Sequence, residues 1–340
     1  MTSTLRFGVL GAARIAPKAL IDPVAKLPDV QVTRVAARDR GRAEAFAAEH
    51  GIAAVADGYQ DLIEADDVDV VYNPLPMSHH AHWTIAALRA GKHVFCEKPF
   101  AANAGEAAEM IRVAEETGLA LGEAFHYRYH PLFGRILDEV RSGRLGRLRH
   151  LEARFEITIG KPDLRWDYAT AGGSLMDLGC YPVSWVRHIV GEEPTVTAAT
   201  VEADGDDPLV DAAIEARLAF PSGATATVAS SMVSERGIGL VVEGTDGRVV
   251  VDNPMAPQAG NSLTIETAGG TTSGPVDAGV SYDHMVRAFV DHLVHGADFP
   301  TRGQDSIANM AAIDAIYIAA GLPVRGEAEH GADDGSGSAR

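Results

Sequence analysis

The 340-residue sequence predicts an α/β protein in which an N-terminal doubly wound parallel sheet precedes a C-terminal α/β domain with a mainly antiparallel, open sheet. Two observations predict this class. Up to about residue 122, short β-like runs alternate with helical patterns, as they do in parallel sheets. Beyond residue 130, longer segments alternate apolar and polar residues, which is typical of antiparallel strands with one solvated or partner-covered face.

The parallel sheet is predicted from five short apolar runs, at residues 5–10, 30–37, 68–72, 93–96 and 119–122. Helical patterns separate them. The first helix follows Gly11, and two others cover residues 41–50 and 79–90. Gly51 and Gly91 stand just past the last two, where glycine commonly ends a helix.

The second domain is predicted to begin with a helix at residues 131–142. Its strand-like segments are residues 148–158, 196–202, 212–220, 224–232 and 237–243, and its later helices are residues 281–295 and 305–320. We therefore expect a dinucleotide-binding domain at 1–124 and a substrate and oligomerisation domain at 125–326. Residues 327–340, rich in Gly, Ser, Ala and acidic residues, predict a disordered tail.

Composition restricts the partners and the compartment. The chain has 29 basic and 47 acidic residues, a net charge of −18, which repels nucleic acids and anionic membranes. No apolar run approaches the ~18 to 20 residues that cross a bilayer, and Arg6 and Gly8 interrupt the N-terminal run. Cys96 and Cys180 are too few for a disulfide framework. We therefore expect a cytoplasmic protein. We also expect no metal site, because the histidines lack a third ligand at suitable spacing.

The turn after the first strand is similar to the dinucleotide fingerprint G-x-G-x-x-G/A. The three positions hold Gly11, Ala13 and Ala16, so that only the first is glycine. A plain strand-to-helix turn would account for this motif alone, but its place at the head of the alternating pattern favours a dinucleotide site. Gly11 can take the tight turn, and the backbone N–H groups of the residues that follow it, Ala12, Ala13, Arg14 and Ile15, can point at a pyrophosphate.

The end of the second strand bears on the choice between NADP and NAD. About 20 residues beyond the fingerprint, where NAD enzymes carry an acid for the ribose 2′-hydroxyl, this chain has Ala37 followed by Arg38. A guanidinium suits a 2′-phosphate, which predicts NADP. A shift of two residues in this alignment would instead make Asp39 the ribose ligand and the cofactor NAD.

Two motifs supply candidate catalytic groups. Glu97 and Lys98 stand at the carboxyl end of the fifth strand, where ligands bind in doubly wound sheets. Farther along, Asp177 and Tyr181 are four residues apart and share one helix face. Ser174 and Asp177 have the spacing of a capping box, which predicts a helix start at residue 175.

A proline near this pair bears on the shape of its helix. Pro182 follows Tyr181 directly and has no backbone N–H group to donate. We therefore expect the helix to be kinked or loosened near Asp177 and Tyr181.

Three segments, residues 8–16 (GVLGAARIA), 90–99 (AGKHVFCEKP) and 172–182 (GGSLMDLGCYP), resemble the Gfo/Idh/MocA oxidoreductase family in order and spacing. The last is similar to the branch of dihydrodiol dehydrogenases, NADP-dependent D-xylose dehydrogenases and glucose-fructose oxidoreductase. Other branches carry histidine where this chain has Tyr181. Residues 123–131 resemble the family's interdomain crossing, with histidine where methionine is common.

The resemblance implies a Rossmann domain and specific roles. It implies that Lys98 is catalytic, that Tyr181 is the acid/base and that Asp177 orients substrate. Residues 73–80 resemble the loop after the fourth strand. The nicotinamide-side positions are then Leu75, Pro76, His80 and the neighbouring Glu97 and Lys98.

The chemistry agrees with these roles, because oxidising an alcohol requires a base for the O–H proton while a hydride leaves carbon. Tyr181 ordinarily titrates near ~10, so its phenolate needs a cation, for which Lys98 is the candidate. Tyr127 and Trp166 are candidate pocket walls, although packing roles explain them equally well. The expected function is NADP-dependent oxidation of a sugar or cyclic diol hydroxyl by a homodimer or larger homo-oligomer. The alternatives are reduction of a keto- or anhydro-sugar and a dinucleotide-binding regulator without turnover.

Overall fold

The computed structural model describes residues 4–326, so the predicted tail at 327–340 lies outside the described residues. Its first sheet has six parallel strands in the order β3-β2-β1-β4-β5-β6. The strands are β1 (Leu5–Leu10), β2 (Val30–Ala36), β3 (Ala54–Val55), β4 (Val70–Asn73), β5 (His93–Cys96) and β6 (Leu121–Glu123). All five predicted strands are present, and the additional β3 has two residues, too few for an alternation pattern.

Helices cover both faces of this sheet. They are α1 (Asp22–Val24), α2 (Arg40–His50), α3 (Tyr59–Glu64), α4 (His80–Arg89) and α5 (Ala104–Thr117). The helix predicted after Gly11 is short, and its first part, Pro17–Ile21, is π-helical. The helices α3 and α5 are additional to the predicted set. Asn103 caps α5 by accepting a hydrogen bond from the Glu106 N–H group at 2.9 Å.

The second sheet has eight strands in the order β14-β13-β12-β11-β7-β10-β9-β8. Its strands are β7 (Leu148–Glu156), β8 (Thr195–Ala203), β9 (Asp211–Ala219), β10 (Thr225–Ser231), β11 (Gly237–Gly244), β12 (Gly247–Asp252), β13 (Ser262–Thr267) and β14 (Gly270–Gly274). Only the β7–β10 pair is parallel. Along β7 the buried Leu151, Ala153 and Phe155 alternate with the exposed Glu152 and Arg154, so one face is packed and the other is open.

The remaining helices are α6 (Pro131–Arg141), α7 (Cys180–Val190), α8 (Ser281–His295) and α9 (Gln304–Ala319). Helix α7 packs on the second sheet, whereas α8 returns to the first one. The Phe289 ring of α8 stacks on Phe95 of β5 with centroids 4.5 Å apart, within one core that also contains Phe7 and Val9. Within residues 4–326 no helix is long and apolar enough to cross a membrane.

The last residue of β6 is a buried carboxyl group. Glu123 is 1% exposed, and the polar groups nearest its carboxyl oxygens, the Ser306 hydroxyl and the Phe100 backbone N–H group, do not outweigh the loss of hydration there. Burial raises the pKa of Glu123 from 4.5 to about 8, because a charged carboxylate loses its hydration there. Between those two values the folded protein keeps a proton that the unfolded chain releases, so the free energy of unfolding falls as pH rises.

We therefore expect the Glu123→Gln variant to be more stable than the native protein at about pH 8, with little difference at about pH 4.5. Urea unfolding of both proteins at the two pH values measures this. Glu115→Gln, at an exposed position on α5, is the control and should show no such pH dependence. Equal stability of Glu123→Gln and native protein at the higher pH would contradict the expectation.

Candidate active site

The cleft lies at the carboxyl ends of β1, β4 and β5, where the strand order of the first sheet reverses. Gly11 makes the turn after β1 with φ +86°, a conformation that side chains disfavour. Its N–H group donates to the Ala36 carbonyl at 2.6 Å, and an added Cβ would lie 3.2 Å from the Leu75 side chain. The following residues, Ala12, Ala13, Arg14 and Ile15, retain at least partial exposure. This narrow, glycine-dependent turn fits a pyrophosphate approaching the backbone.

The β2–α2 connection carries an available guanidinium. Ala37 is buried, while Arg38 is exposed and forms no ion pair with another described residue. Asp39 caps α2 by accepting a hydrogen bond from the Arg42 N–H group at 2.7 Å. The Arg42 side chain reaches the Ala12 carbonyl at 3.4 Å. The cation that suits a 2′-phosphate is therefore free, whereas the alternative ribose acid, Asp39, has a capping role.

The loop after β4 brings Leu75 and Pro76 to the cleft, but His80 does not reach it. His80 is 1% exposed, and its Nε2 and Nδ1 atoms lie 2.8 Å from the Leu75 carbonyl and 2.9 Å from the Pro99 carbonyl. Burial lowers its pKa to about 4, and a neutral ring can donate a hydrogen bond to only one of these two carbonyls, since a carbonyl oxygen only accepts. The implied nicotinamide contact by His80 is corrected: this side chain ties the loop to the segment after Lys98.

Lys98 connects the two domains. It follows β5 and precedes a cis peptide bond to Pro99. Its Nζ donates to the Asp177 carboxylate at 2.9 Å and to the Asp177 carbonyl at 2.8 Å. Its neighbour Glu97 points the other way, accepting a hydrogen bond from the Tyr72 hydroxyl at 2.6 Å.

The surroundings of the Lys98–Asp177 pair favour the charged form of both side chains. Burial alone would raise the pKa of Asp177, but Lys98 and Arg165 together hold it below its ordinary value. Burial would likewise lower the pKa of Lys98, and the Asp177 carboxylate reverses that effect. The Arg165 guanidinium lies 3.3 Å from the second Asp177 oxygen. Asp177 is therefore a carboxylate held between two cations.

The helix carrying Asp177 is capped differently from the sequence prediction. Ser174 does not cap it, because its hydroxyl donates to Asp211 at 2.9 Å. Asp211 also accepts the Leu175 N–H group at 2.7 Å, so the cap comes from β9, across the domain. Gly173, at φ +136°, leaves room for this carboxylate, which an added Cβ would strike. The capping-box prediction is therefore wrong, although the helical segment does begin at Leu175.

The first turn of that segment, Leu175–Gly179, is π-helical, and α7 continues from Cys180. The helix is thus loosened around Asp177, one turn before the Pro182 that led us to expect it. This wide turn presents Asp177 and Tyr181 to Lys98 together.

Tyr181 lies against Lys98 through its ring. The Lys98 Nζ is 5.1 Å from the ring centroid, while the Tyr181 hydroxyl is 3.3 Å from Nε2 of His126. Tyr181 is 4% exposed, and burial raises its pKa well above 10. Lys98 therefore touches the ring face rather than the hydroxyl, which differs from the expected direct pairing with a phenolate.

The candidate pocket walls separate into two cases. Tyr127 is fully buried, with its hydroxyl 2.7 Å from Ser184 and 3.1 Å from His188, so it belongs to the core behind Tyr181 and the substrate role is withdrawn. Trp166 is half-buried, and its Nε1–H donates to the Ile159 carbonyl at 3.1 Å. It stays a candidate wall beside Arg165.

The segment that carries Trp166 also reaches the fingerprint turn. The Asp163 carboxylate accepts a hydrogen bond from the Arg165 guanidinium at 2.8 Å and another from the Arg14 guanidinium of the first domain at 3.1 Å. Arg14 thus forms an interdomain ion pair. Sequence reasoning missed Arg165 and Asp211 because their partners come from distant parts of the chain. Among residues 4–326 no group of three or more His, Cys, Asp or Glu side chains could hold a metal.

Comparisons with known proteins agree with this architecture. Residues 5–125 match the family model "Oxidoreductase family, NAD-binding Rossmann fold", and residues 133–250 match the "GFO/IDH/MocA C-terminal domain". The chain is 38% identical over 321 residues to D-xylose 1-dehydrogenase (NADP(+)) 2 of Haloferax volcanii, covering 93% of this chain and 97% of that relative. It is 36% identical over 291 residues to a dTDP-3,4-didehydro-2,6-dideoxy-alpha-D-glucose 3-reductase of Streptomyces violaceoruber, covering 84% of each.

A solved structure shows the same fold. The crystal structure of a 3-ketoreductase from Actinomadura kijaniata in complex with NADP and TDP-benzene has a TM-score of 0.87 to this chain at 29% identity. The superposition covers 93% of this chain and 98% of that one.

Proposed function

The chain is a member of the Gfo/Idh/MocA oxidoreductase family, and we propose that it moves a hydride between NADP and a hydroxyl-bearing carbon of a sugar or a cyclic trans-diol. One observation carries this proposal: Lys98, Asp177 and Tyr181, from two domains, meet beside the glycine turn at the carboxyl edge of the parallel sheet. Domain 1–124 would bind the dinucleotide, and domain 125–326 would bind the substrate.

Each group of residues would have a different role in the reaction. Bound NADP supplies the nicotinamide that exchanges a hydride with the substrate carbon. The turn at Gly11 and the cation of Arg38 would hold its phosphates, with Leu75 and Pro76 at the nicotinamide end. Tyr181 would exchange the proton of the reacting hydroxyl. Asp177, kept ionised by Lys98, would accept a hydrogen bond from a second substrate hydroxyl, which favours polyols and sugars over simple alcohols.

The choice of cofactor has a direct test. We expect NADPH to bind more tightly than NADH, and Arg38→Ala to weaken NADPH binding by about 10- to 100-fold without changing NADH binding, because only NADPH presents the 2′-phosphate. Parallel fluorescence titrations measure both affinities.

Arg40→Ala is the matched control, since that guanidinium already pairs with Glu44 and Asp57. If Arg38→Ala leaves the NADPH affinity unchanged, or if the native protein binds NADH equally tightly, Asp39 and not Arg38 would be assigned as the residue that contacts the ribose.

Two alternative functions are tested by measuring turnover. Reduction of a keto-sugar uses the same residues in reverse, and the 3-reductase and 3-ketoreductase relatives favour it as the second candidate. Initial rates in both directions, with aldoses, trans-diols and keto-sugars, distinguish the two. A regulator without turnover is disfavoured because Lys98, Asp177 and Tyr181 are all present and assembled. Cofactor binding with no turnover of any of these substrates would restore that alternative.

We also propose that the protein acts in the cytoplasm as a homodimer or larger homo-oligomer. The open face of the second sheet is the surface we assign to this assembly: small residues such as Ala229 and Gly239 would let a second copy of the chain approach closely, and charged residues such as Glu152 and Arg217 would pair with it. Sedimentation velocity at micromolar concentration tests the oligomeric state, and a monomer would contradict the proposed assembly.

A further inference from the structure

A bridging segment, residues 163–173 of the second domain, touches the first domain at two places beside the cleft. Its first residue, Asp163, accepts a hydrogen bond at 3.1 Å from the Arg14 guanidinium, which belongs to the glycine turn. Farther along, Tyr168–Thr170 lies beside Met77–His79 of the loop after β4. Both contacts are made with loops that we propose for dinucleotide binding, and the segment runs directly into the π-helical turn described above.

The bridging segment holds one guanidinium firmly in place. The Asp163 carboxylate accepts two hydrogen bonds from the Arg165 side chain, from Nε at 2.8 Å and from Nη2 at 2.9 Å, and a third from the Arg165 backbone N–H group at 3.1 Å. The Gly173 N–H group donates to the Arg165 carbonyl at 2.9 Å, and an added Cβ on Gly172 would lie 2.6 Å from that same oxygen. Arg165 is therefore fixed through both its side chain and its backbone.

A continuous series of alternating charges crosses the cleft through this segment. Its members, in order, are Arg14, Asp163, Arg165, Asp177 and Lys98, and the distances between successive polar atoms are 3.1, 2.8, 3.3 and 2.9 Å. The hydrogen bonds from Arg165 hold the pKa of Asp163 below its ordinary value, so this carboxylate stays charged at neutral pH. The series joins the turn that would meet the pyrophosphate to the pair that would meet the substrate.

The contact between Arg14 and Asp163 is the exposed end of this series. The Arg14 side chain is 88% exposed, and an ion pair with so exposed a partner contributes little on its own, whereas the Asp163 side chain is 10% exposed. A guanidinium has five N–H donors, and the contact with Asp163 leaves donors of Arg14 available. A pyrophosphate at the glycine turn can accept from those donors, which would fix the Arg14 side chain without displacing Asp163.

We infer that Asp163 is a positioning residue, which holds the Arg165 guanidinium against Asp177 and, through Arg14, holds it more firmly when a dinucleotide occupies the glycine turn. This inference rests on the proposed function. Because dinucleotide binding already orders the Arg14 side chain, the bridging segment then docks with a smaller loss of conformational entropy. Asp177 is therefore oriented best for a substrate hydroxyl in the cofactor-loaded protein.

Hydrogen exchange of the full chain tests this coupling without any substrate. We expect saturating NADPH to slow amide exchange in residues 163–173 of the native protein by at least about fivefold, because the docked segment then opens less often. Arg14→Ala and Asp163→Asn should lose this slowing, although both still bind NADPH at raised concentration. Glu109→Gln is the matched control, since Glu109 forms an equally two-pronged pair with Arg112 on the surface of α5, and it should respond as the native protein does.

Two results of the exchange experiment would overturn the inference. One is equal slowing in the native protein and in both variants, which would mean that the cofactor acts on the segment by another route. The other is no slowing in native protein that has bound NADPH. Neither result bears on the proposed hydride transfer, which turnover measures. The expected exchange pattern would likewise stand even if no tested sugar or diol reacts.

Steady-state kinetics separates positioning from a general structural effect. Asp163→Asn keeps the shape of the side chain, but its amide can accept at only one of the two atoms that face Arg165. We expect the substrate KM to rise by about 5- to 20-fold, with kcat lowered less than about threefold, because Asp177 would bind the substrate whereas Tyr181 would exchange the proton. A fall in kcat as large as the rise in KM indicates a merely structural role and overturns the inference.

Combined and conservative variants test whether Arg14 acts through Asp163. Because Arg14 reaches Asp177 only by way of Asp163, the double variant Arg14→Ala with Asp163→Asn should have the substrate KM of Asp163→Asn within about twofold. Asp163→Glu keeps the charge and should bring KM to within about threefold of the native value. Increases in KM that multiply in the double variant, or an Asp163→Glu protein no better than Asp163→Asn, overturn the inference.

Discussion

The Tyr181→Phe variant should lose at least about a hundredfold in kcat while it still binds NADPH with native affinity. Phenylalanine keeps the ring that Lys98 contacts and the packing against Phe125 and Trp185, so only the proton-exchanging hydroxyl is lost. Stopped-flow measurement of the hydride step, together with fluorescence titration of NADPH, tests both halves of the expectation.

Tyr129→Phe is the control for the loss of a buried hydroxyl. The Tyr129 hydroxyl bonds Thr301 at 2.6 Å, and this pair lies outside the Lys98, Asp177 and Tyr181 group. A small loss of stability with unchanged kcat is expected there. Native turnover by Tyr181→Phe would remove Tyr181 from the mechanism and leave Asp177 as the remaining candidate base.

The Lys98→Met variant should show the other large effect, a fall in kcat of about 10²- to 10⁴-fold accompanied by a change in the pH dependence of stability. In the native protein the pKa of Asp177 is held below its ordinary value. The stability that this pairing contributes is present above the ordinary pKa and is lost as pH falls. Without Lys98, burial raises the pKa of Asp177, so the variant loses stability as pH rises.

Thermal unfolding at about pH 5 and about pH 8 therefore separates the variant from the native protein, with the larger deficit at the higher pH. Lys26→Met removes one charge from an exposed ion pair with Asp283 and is the matched control. Activity close to native in Lys98→Met would mean that Asp177 is oriented by Arg165 alone.

The sequence was sufficient where local patterns determine structure. Apolar runs between helical segments predicted the β1, β2, β4, β5 and β6 strands, and the four-residue spacing predicted the shared face of Asp177 and Tyr181. The cap of that helix was missed because Asp211 approaches through the fold, so a plausible local pair, Ser174 and Asp177, was chosen instead. His80 was misjudged for a similar reason. Its two carbonyl partners, on Leu75 and Pro99, become visible only when two loops are brought together.

The surroundings of His126 show a similar limit. A histidine in the crossing segment was noticed in the sequence, but nothing local indicated that its ring would lie 3.3 Å from the Tyr181 hydroxyl and 2.8 Å from the Ser281 hydroxyl.

The stacking of Phe289 on Phe95 also bears on how the protein is made. During synthesis the parallel sheet leaves the ribosome long before α8 exists, so the part of its core around Phe95 lacks its α8 cover until nearly the whole chain has emerged. Folding that depends on contacts so far apart in sequence is slow, and exposed aromatic rings favour aggregation meanwhile. The nascent N-terminal half should therefore need chaperone protection, and a gene fragment ending at residue 124 should yield aggregates rather than a working dinucleotide-binding domain.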